Sequence, residues 1–135
     1  MLVSTLNGTT SFELDGVAAS DYSGRSVATA GDVNGDGIQD IIIGAYYASP
    51  GGLGAAGKTY VVFGKATWTS PFLLSSVNGA NGFELDGVAA GDYSGISVAT
   101  AGDVNGDGIQ DIIIGAYLAS PGGLSRAGKT TVMCK

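Results

Sequence analysis

The chain consists of two copies of one unit, and this repeat constrains the fold more than any other feature. Asp32 and Asp103 are 71 positions apart, and residues 26–46 match residues 97–117 without a difference. Such a repeat is typical of solenoids, propellers and arrays, in which each unit packs against the next. The near-identity fits a recent duplication or a designed repeat, and the sequence alone leaves both open.

Each unit is predicted to form four short β-strands. In the first unit they are residues 26–30, 40–45, 58–63 and 83–86. These runs are rich in β-branched residues or alternate between apolar and polar side chains, and glycine and proline separate them. The link 64–82 is expected to include part of an edge strand. Because four antiparallel strands make one propeller blade, we predict an all-β fold of two β-propeller blades.

The predicted domain is a single two-blade unit that spans residues 1–135. Residues 24–94 form blade 1, and residues 95–135 form blade 2, which lacks its outer strand. Residues 1–23 carry an outer strand, residues 12–15, ahead of any inner strand. We expect this strand to complete a neighbouring blade.

The outer strand near the N-terminus predicts how the blades assemble. Propellers have about four to eight blades, so two blades cannot close a ring. We expect closure by homo-oligomerisation through exchange of the N-terminal strand, as a trimer or tetramer with about six or eight blades. An open helical filament is expected if the rotation between blades does not close. A place within a longer parent chain is the other alternative.

An acidic loop of nine residues, Asp-Val-Asn-Gly-Asp-Gly-Ile-Gln-Asp, occurs at 32–40 and again at 103–111. Oxygen-bearing side chains occupy every second position of its first half, and a glycine turn directs the last carboxylate back toward them. Ca²⁺ prefers about six to eight oxygen ligands at about 2.3–2.6 Å, so we predict two Ca²⁺ ions per chain. An EF-hand is excluded because its twelfth position, a glutamate, is here Ile43 and Ile114.

Charge and hydropathy limit the partners. Two Ca²⁺ ions would bring the net charge from −6 to −2. The six Lys and Arg residues are scattered, which argues against a nucleic-acid partner. No apolar run approaches the roughly 20 residues of a membrane span. Residues 1–10 lack the pattern of a signal peptide, yet we predict an extracellular or cell-surface location, because weak calcium sites fill in external calcium and not in a resting cytosol.

Catalysis is not expected from this composition. The chain has no histidine, which excludes Ser-His-Asp and Cys-His arrangements and histidine-based zinc sites. Glu13 with Asp15, and Glu84 with Asp86, are spaced by two and resemble a glycosidase pair. The alternative is that they are charges that protect an edge strand from aggregation. We predict that the protein is not an enzyme.

Aromatic residues in the loops form the candidate recognition surface. They can stack on sugar rings or anchor a protein partner, or instead fill the space between blades. The first possibility predicts a multivalent lectin, and the second a purely structural or designed self-assembling repeat protein. The residues are Tyr22, Tyr46, Tyr47, Trp68, Tyr93 and Tyr117.

Residues 26–37, followed by residues 40–45 and 57–64, resemble the FG-GAP repeat of integrin α-subunit β-propellers. The resemblance covers nearly the whole chain in both units. It implies that the acidic loop joins the first two strands of a blade and binds Ca²⁺, in a rigid scaffold for extracellular adhesion or recognition. The implied ligands are Asp32, Asn34, Asp36, the Ile38 carbonyl and Asp40, and then Asp103, Asn105, Asp107, the Ile109 carbonyl and Asp111.

Two short segments depart from the family pattern. The family's Phe-Gly is replaced by Tyr22-Ser23-Gly24 and, in the second unit, by Tyr93-Ser94-Gly95. The family's Gly-Ala-Pro is replaced by Gly-Ala-Tyr at residues 44–46 and 115–117. Both replacements keep an aromatic or turn residue in place, so the expected fold does not change.

Overall fold

A computed structural model describes residues 8–9 and 11–135. The described part is all-β, as predicted, and its only helical turns are short 3₁₀ turns at residues 50–52, 74–76 and 121–123. Within that part, no helix is long and apolar enough to cross a membrane. The strands are β1 (Leu14–Asp15), β2 (Ser26–Gly31), β3 (Asp40–Ala45), β4 (Lys58–Val62), β5 (Phe72–Leu73), β6 (Gly82–Asp86), β7 (Ser97–Gly102), β8 (Asp111–Ala116) and β9 (Lys129–Met133).

The strands form one four-stranded sheet and one three-stranded sheet that follow the predicted blades. The first is antiparallel with the order β2-β3-β4-β6, and the second is antiparallel with the order β7-β8-β9. The predicted strand boundaries are correct to within one residue in the first sheet. The sheets share their register, with Ser26 opposite Gly44 in one and Ser97 opposite Gly115 in the other.

The N-terminal strand differs from the prediction in length and in its pairing within the chain. Residues 12–15 are predicted as a strand, but β1 contains only Leu14 and Asp15. It pairs in parallel with β5, which lies in the link 64–82, where part of an edge strand was expected. A parallel pair between segments so distant in sequence depends on tertiary packing, which local patterns do not report. Residues 1–7 and 10 of the predicted segment 1–23 lie outside the described residues.

The two blades pack face to face through a core of aliphatic side chains. Because successive residues of a strand point to opposite faces, each blade has a front face and a back face. The front face of blade 1 contributes Ile42 and Val61, and the back face of blade 2 contributes Ile112 and Ile114. The Ser26 hydroxyl also donates a hydrogen bond of 2.7 Å to a carbonyl of the second unit, that of Gly95.

The back face of blade 1 is covered by a different part of the chain. Ile43, Tyr60 and Val62 form a buried cluster there with Phe72 and Leu74 from the link. Leu14 of β1 and Trp68 pack against the edge of this cluster. Blade 1 is therefore buried on both faces, whereas blade 2 uses only its back face within the described residues.

Candidate metal loops

Each acidic loop connects the first two strands of its blade, at one end of the sheet. The loop 32–40 joins β2 to β3, and the loop 103–111 joins β7 to β8. A shift in register after Thr29 and after Thr100 brings the last residue of the first strand opposite the last residue of the loop. This irregularity closes each loop at the sheet, and the sequence pattern did not predict it.

Asp32 organises the first half of its loop through backbone amides. One carboxylate oxygen accepts hydrogen bonds from the Gly35 and Asp36 amides at 2.7 and 3.0 Å, and the other accepts one from Gly37 at 2.8 Å. Gly35 and Gly37 have φ values of 76° and 86°, a conformation that strains residues with a side chain. The two glycines thus allow the chain to wrap around the Asp32 carboxylate.

Asn34 and Asp36 lie beside each other on the exposed side of the loop. The Asn34 amide donates to an Asp36 carboxylate oxygen at 2.9 Å, while the Asn34 side-chain oxygen accepts from the Asp36 amide at 3.0 Å. The other Asp36 oxygen accepts from the Ile38 amide at 2.8 Å. These contacts bring three of the predicted ligands, Asp32, Asn34 and Asp36, into one connected group.

The second loop repeats this arrangement. The amides of Gly106 and Asp107 donate to one Asp103 oxygen at 2.7 and 3.1 Å, and that of Gly108 donates to the other at 2.8 Å. The Asn105 amide donates to Asp107 at 2.7 Å. The Ile109 amide donates to Asp107 at 2.8 Å, as its counterpart does in the first loop. The agreement shows that the loop sequence determines its own conformation.

Asp40 and Asp111 close the two loops, and both are buried. One Asp40 oxygen accepts from the Val33 amide and the other from the Gly64 amide, each at 2.8 Å. In the second loop Asp111 accepts from Val104 at 2.8 Å, its other oxygen is buried without an amide partner, and the Cys134 thiol lies within reach of the carboxylate. The sequence did not reveal the Gly64 amide as a partner of Asp40, because Gly64 lies outside the motif.

The electrostatics of the first loop favour a cation. Burial raises the pKa of the Asp40 carboxyl, the Gly64 and Val33 amides lower it, and the Asp36 and Asp32 carboxylates raise it. The net result is a pKa above the ordinary value. Burial is the largest cause, and the like charges of Asp36 and Asp32 add to it, so a bound cation would offset both.

The described residues bring the predicted ligands only partly together. No three acidic, cysteine or histidine side chains in the described part form a group that could hold a metal ion. Asp40 and Asp111 turn toward backbone amides, and the Ile38 and Ile109 amides, not their carbonyls, make the recorded contacts. The donor set nevertheless fits Ca²⁺, since it is made of carboxylate and amide oxygens, and each carboxylate has about four lone-pair sites.

The two loops lie next to each other. The Gln110 amide donates to the Asp32 carbonyl at 3.5 Å, and the Gln110 side chain lies so close to Gly31 that a larger residue would not fit there. Gly31 has a φ of 77°, which glycine also favours. The contact places the two loops along one edge of the blade pair.

The predicted aromatic surface is brought together except for Trp68. Five rings form a continuous cluster, with neighbouring ring centroids 5.6–6.0 Å apart. Contacts such as Tyr46–Tyr93 join the two units. Tyr46 follows the end of β3, and the acidic loop precedes its start, so the cluster and the metal loops lie at opposite ends of the strands. The tyrosine cluster consists of Tyr22, Tyr46, Tyr47, Tyr93 and Tyr117.

Trp68 has a separate structural environment. It stacks on Phe12 with ring centroids 4.0 Å apart and contacts Phe72 edge-on at 5.7 Å. The Lys65 ammonium lies 4.7 Å from its ring centroid. Trp68 therefore packs beside β1 and does not belong to the tyrosine cluster.

The carboxylates Glu84 and Asp86 share one cation on the neighbouring strand. The Lys58 ammonium lies 2.9 Å from a Glu84 oxygen and 3.2 Å from an Asp86 oxygen. A lysine therefore engages the pair on β6, a contact that neither the glycosidase-like prediction nor the expected edge-protecting charges included.

A family model for the FG-GAP repeat matches residues 23–62 and 94–133. These two segments contain β2 to β4 and β7 to β9 with both acidic loops, but not β6. They stop short of the N-terminal strand and of the link with Trp68.

Integrin α-subunits are among the relatives of the chain. It is 35% identical over 123 residues to integrin alpha-3 of Cricetulus griseus, with 84% of this chain and 11% of the relative covered. It is 32% identical over 132 residues to integrin alpha-PS2 of Drosophila melanogaster, with 91% and 9% covered. Integrin alpha-6 of Gallus gallus is 36% identical over 107 residues, with 78% and 9% covered. The chain thus spans about a tenth of the length of these relatives.

Proposed function

Because the chain belongs to the FG-GAP repeat family, we propose that it is a calcium-binding β-propeller scaffold for extracellular adhesion or recognition. The observation that carries the proposal is the repetition of one loop conformation in both units. In each loop an aspartate, an asparagine and a second aspartate are held together on the same set of backbone amides. One Ca²⁺ ion per loop, two per chain, is the expected content.

The proposed ligands of the ion come from both the exposed and the buried side of each loop. Asp32, Asn34 and Asp36 would supply side-chain oxygens at the exposed side, and Asp40 would close the loop from the buried side. The Ile38 carbonyl would complete the first set. The second set would be Asp103, Asn105, Asp107, the Ile109 carbonyl and Asp111. When bound, the ion neutralises these carboxylates and joins the ends of the first two strands.

The proposed role of the ion is structural. A ligand that binds the folded state alone stabilises that state by mass action, by about 2.7 kcal/mol at a hundredfold excess over its dissociation constant. Weak sites of this kind fill at the calcium concentration outside cells, which supports an extracellular or cell-surface location. The scaffold is proposed to be non-catalytic, since the loop carboxylates are committed to the metal and Glu84 and Asp86 to Lys58.

The test is the melting temperature with and without calcium. Millimolar calcium should raise the melting temperature relative to EDTA, and Asp36→Ala should remove about half of that increase by disabling one of two sites. Asp107→Ala should have a matching effect through the second loop. Asp21→Ala removes a carboxylate outside the loops and should leave the calcium response intact. The proposal is wrong if EDTA leaves the melting temperature of the unmodified chain unchanged.

Recognition through the tyrosine cluster is a second candidate function. Tyr22, Tyr47 and Tyr117 are exposed within a cluster of five contacting rings, which suits stacking on sugar rings or anchoring a protein partner. Binding to a glycan array that is lost in Tyr47→Ala and Tyr117→Ala, but kept in Trp68→Ala, would support a multivalent lectin. Unchanged binding in the tyrosine variants would exclude this surface.

The proposed partner for assembly is the chain itself. Three or four copies of a two-blade unit would give a closed ring within the size range of propellers, about four to eight blades. A discrete mass of three or four chains in solution supports this proposal, and a monomer contradicts it.

A further inference from the structure

We propose that blade 2 is completed by β1 of a second copy, which pairs in antiparallel orientation with β9. In this arrangement Asp15 of one copy lies opposite Lys129 of the next, and Leu14 lies opposite Thr130. The proposal deepens the assembly proposed above and rests on it. It specifies the strands, the register and the charged groups of the contact.

The front face of blade 2 has the composition of a buried surface but is exposed. Val61 of blade 1 is completely buried, whereas its counterpart Val132 is 43% exposed. Val33 is likewise fully buried, and its counterpart Val104 is 57% exposed. In blade 1 this face is covered by the back face of the next blade. The front face of blade 2 is therefore suited to the same occupant, which is the back face of another copy of this repeat.

Blade 1 shows which strand would pair with the open edge of blade 2. There the outer strand β6 pairs with β4, with Asp86 opposite Lys58 and Leu85 opposite Thr59. The repeat spacing of 71 residues relates β4 to β9 and β6 to residues 11–15. Transferring the register gives the pairs Asp15–Lys129 and Leu14–Thr130.

The charges on the two strands are complementary. Within blade 1 Lys58 bridges Glu84 and Asp86 on the outer strand, at 2.9 and 3.2 Å. The counterpart of Lys58 on β9 is Lys129, which is exposed. The counterparts of the two acids are Glu13 and Asp15, which are exposed as well. The second copy would bring these three groups into the arrangement already present around Lys58.

The position of β1 on its own chain also fits this role. Leu14 is partly buried against the cluster on the back face of blade 1 that includes Ile43. Its counterpart Leu85 is partly buried against the cluster that includes Ile112 and Ile114 on the back face of blade 2. The strand β1 thus lies against blade 1 as β6 lies against blade 2. A blade built on β1 would present its front face to the back face of blade 1.

The backbone of β1 presents the correct edge. The Glu13 amide donates to the Ser70 hydroxyl at 3.2 Å, and its carbonyl accepts from the Phe72 amide at 2.8 Å. Because backbone groups of successive residues point to opposite edges, those of Leu14 point away from β5.

The corresponding edge in blade 1 is the one that pairs with the inner strand. The Gly87 amide donates to the Gly57 carbonyl at 2.7 Å, and the Phe63 amide donates to the Asn81 carbonyl at 3.0 Å. By alternation along β6, the backbone groups of Leu85 therefore face β4, with which β6 pairs. Those of Leu14 face the open edge of β1, where β9 of the second copy is proposed to pair.

The test is the mass of the full chain by light scattering in calcium, with charge-reversed variants. Lys129→Glu converts two attractions into repulsions and should raise the dissociation constant of the assembly about tenfold or more. Adding Glu13→Lys and Asp15→Lys to that variant should restore assembly. Arg25→Glu changes the net charge equally at an exposed position outside both strands and should assemble like the unmodified chain. Val132→Asp, on the exposed front face, should dissociate the assembly while the monomer remains folded.

The outcomes separate this inference from the proposals on which it depends. Assembly that survives Lys129→Glu and Val132→Asp would show that copies associate through another surface, and the strand pairing would be wrong. A monomeric unmodified chain at all concentrations would overturn both the assembly and the pairing, and would point to a further repeat of a longer chain as the occupant. Loss of assembly on charge reversal and rescue by the triple variant would support the pairing even if calcium proved not to bind.

Discussion

Blades 1 and 2 have nearly the same sequence but different surroundings, and the difference shows what position in the array contributes. The strands β3 and β8 are both Asp-Ile-Ile-Ile-Gly-Ala. Ile42 at the centre of β3 is completely buried, whereas Ile113 at the same place in β8 is only half-buried. The local sequence determines the strand and its register in both cases. The neighbouring blade determines whether its front face is a core.

The same contrast appears at the base of the two loops. Asp40 accepts two amide hydrogen bonds, one of them from Gly64 at the end of blade 1's third strand. Asp111 accepts one amide hydrogen bond, from Val104, and the Cys134 thiol is the other group within reach of its carboxylate. The two loops therefore differ by the amide that Gly64, just after the third strand of blade 1, donates to Asp40.

Substitution of the isoleucines at the centres of β3 and β8 should give the largest difference in stability between the two blades. Ile42→Ala should destabilise the chain by about 2–5 kcal/mol, because it creates a cavity between two packed blades. Ile113→Ala should cost about 1 kcal/mol or less in the monomer, because that face is partly exposed. The measurement is the denaturant midpoint of both variants at a concentration where the chain is monomeric. Equal losses would contradict the assignment of the front face of blade 2 as uncovered.

Substitution of the aspartates that close the loops should give a smaller difference in stability between the two blades. In EDTA, Asp40→Ala should cost about 1–3 kcal/mol more than Asp111→Ala, since it leaves the Gly64 amide without its acceptor in addition to the amide of the loop. Thermal unfolding of the two variants at the same pH provides the comparison. If Asp111→Ala is the more destabilising change, a group other than the Val104 amide stabilises the Asp111 carboxylate in the second loop.

Substitution of the equivalent lysines Lys58 and Lys129 should give the smallest difference in stability. Lys58→Ala removes the ion pairs between a partly buried ammonium and two exposed carboxylates, and should cost about 0.5–1 kcal/mol. Lys129→Ala should leave the stability of the monomer unchanged to within about 0.5 kcal/mol. The difference should disappear in the assembled form, where Lys129 is expected to acquire the same partners. A persistent difference at high protein concentration would argue against the strand pairing proposed for blade 2.

Much of the fold was predictable because the repeat carries strong local signals. The Ile41–Ile43 run, the glycine that follows it and the alternation in β6 determine strand positions to within one residue. The loop glycines determine how Asp32 is surrounded by amides, since few other residues adopt their φ values.

The features that the sequence did not predict all depend on distant partners. The parallel pairing of β1 with β5 joins segments nearly sixty residues apart, and no local pattern encodes it. The Gly64 amide that binds Asp40 lies outside the motif. Local sequence did not predict that the front face of blade 2 is uncovered, because the front-face residues Ile42 and Val61 of the covered blade recur there as Ile113 and Val132.

Calorimetric titration of the unmodified chain with calcium decides whether the acidic loops are metal sites. We expect saturable binding of two ions per chain, reduced to one by Asp36→Ala and likewise to one by Asp107→Ala. Lanthanide luminescence on the same samples would report the loops independently of the heat signal. A titration without binding at millimolar calcium, for a chain shown to be folded, would contradict the claim that these loops are calcium sites.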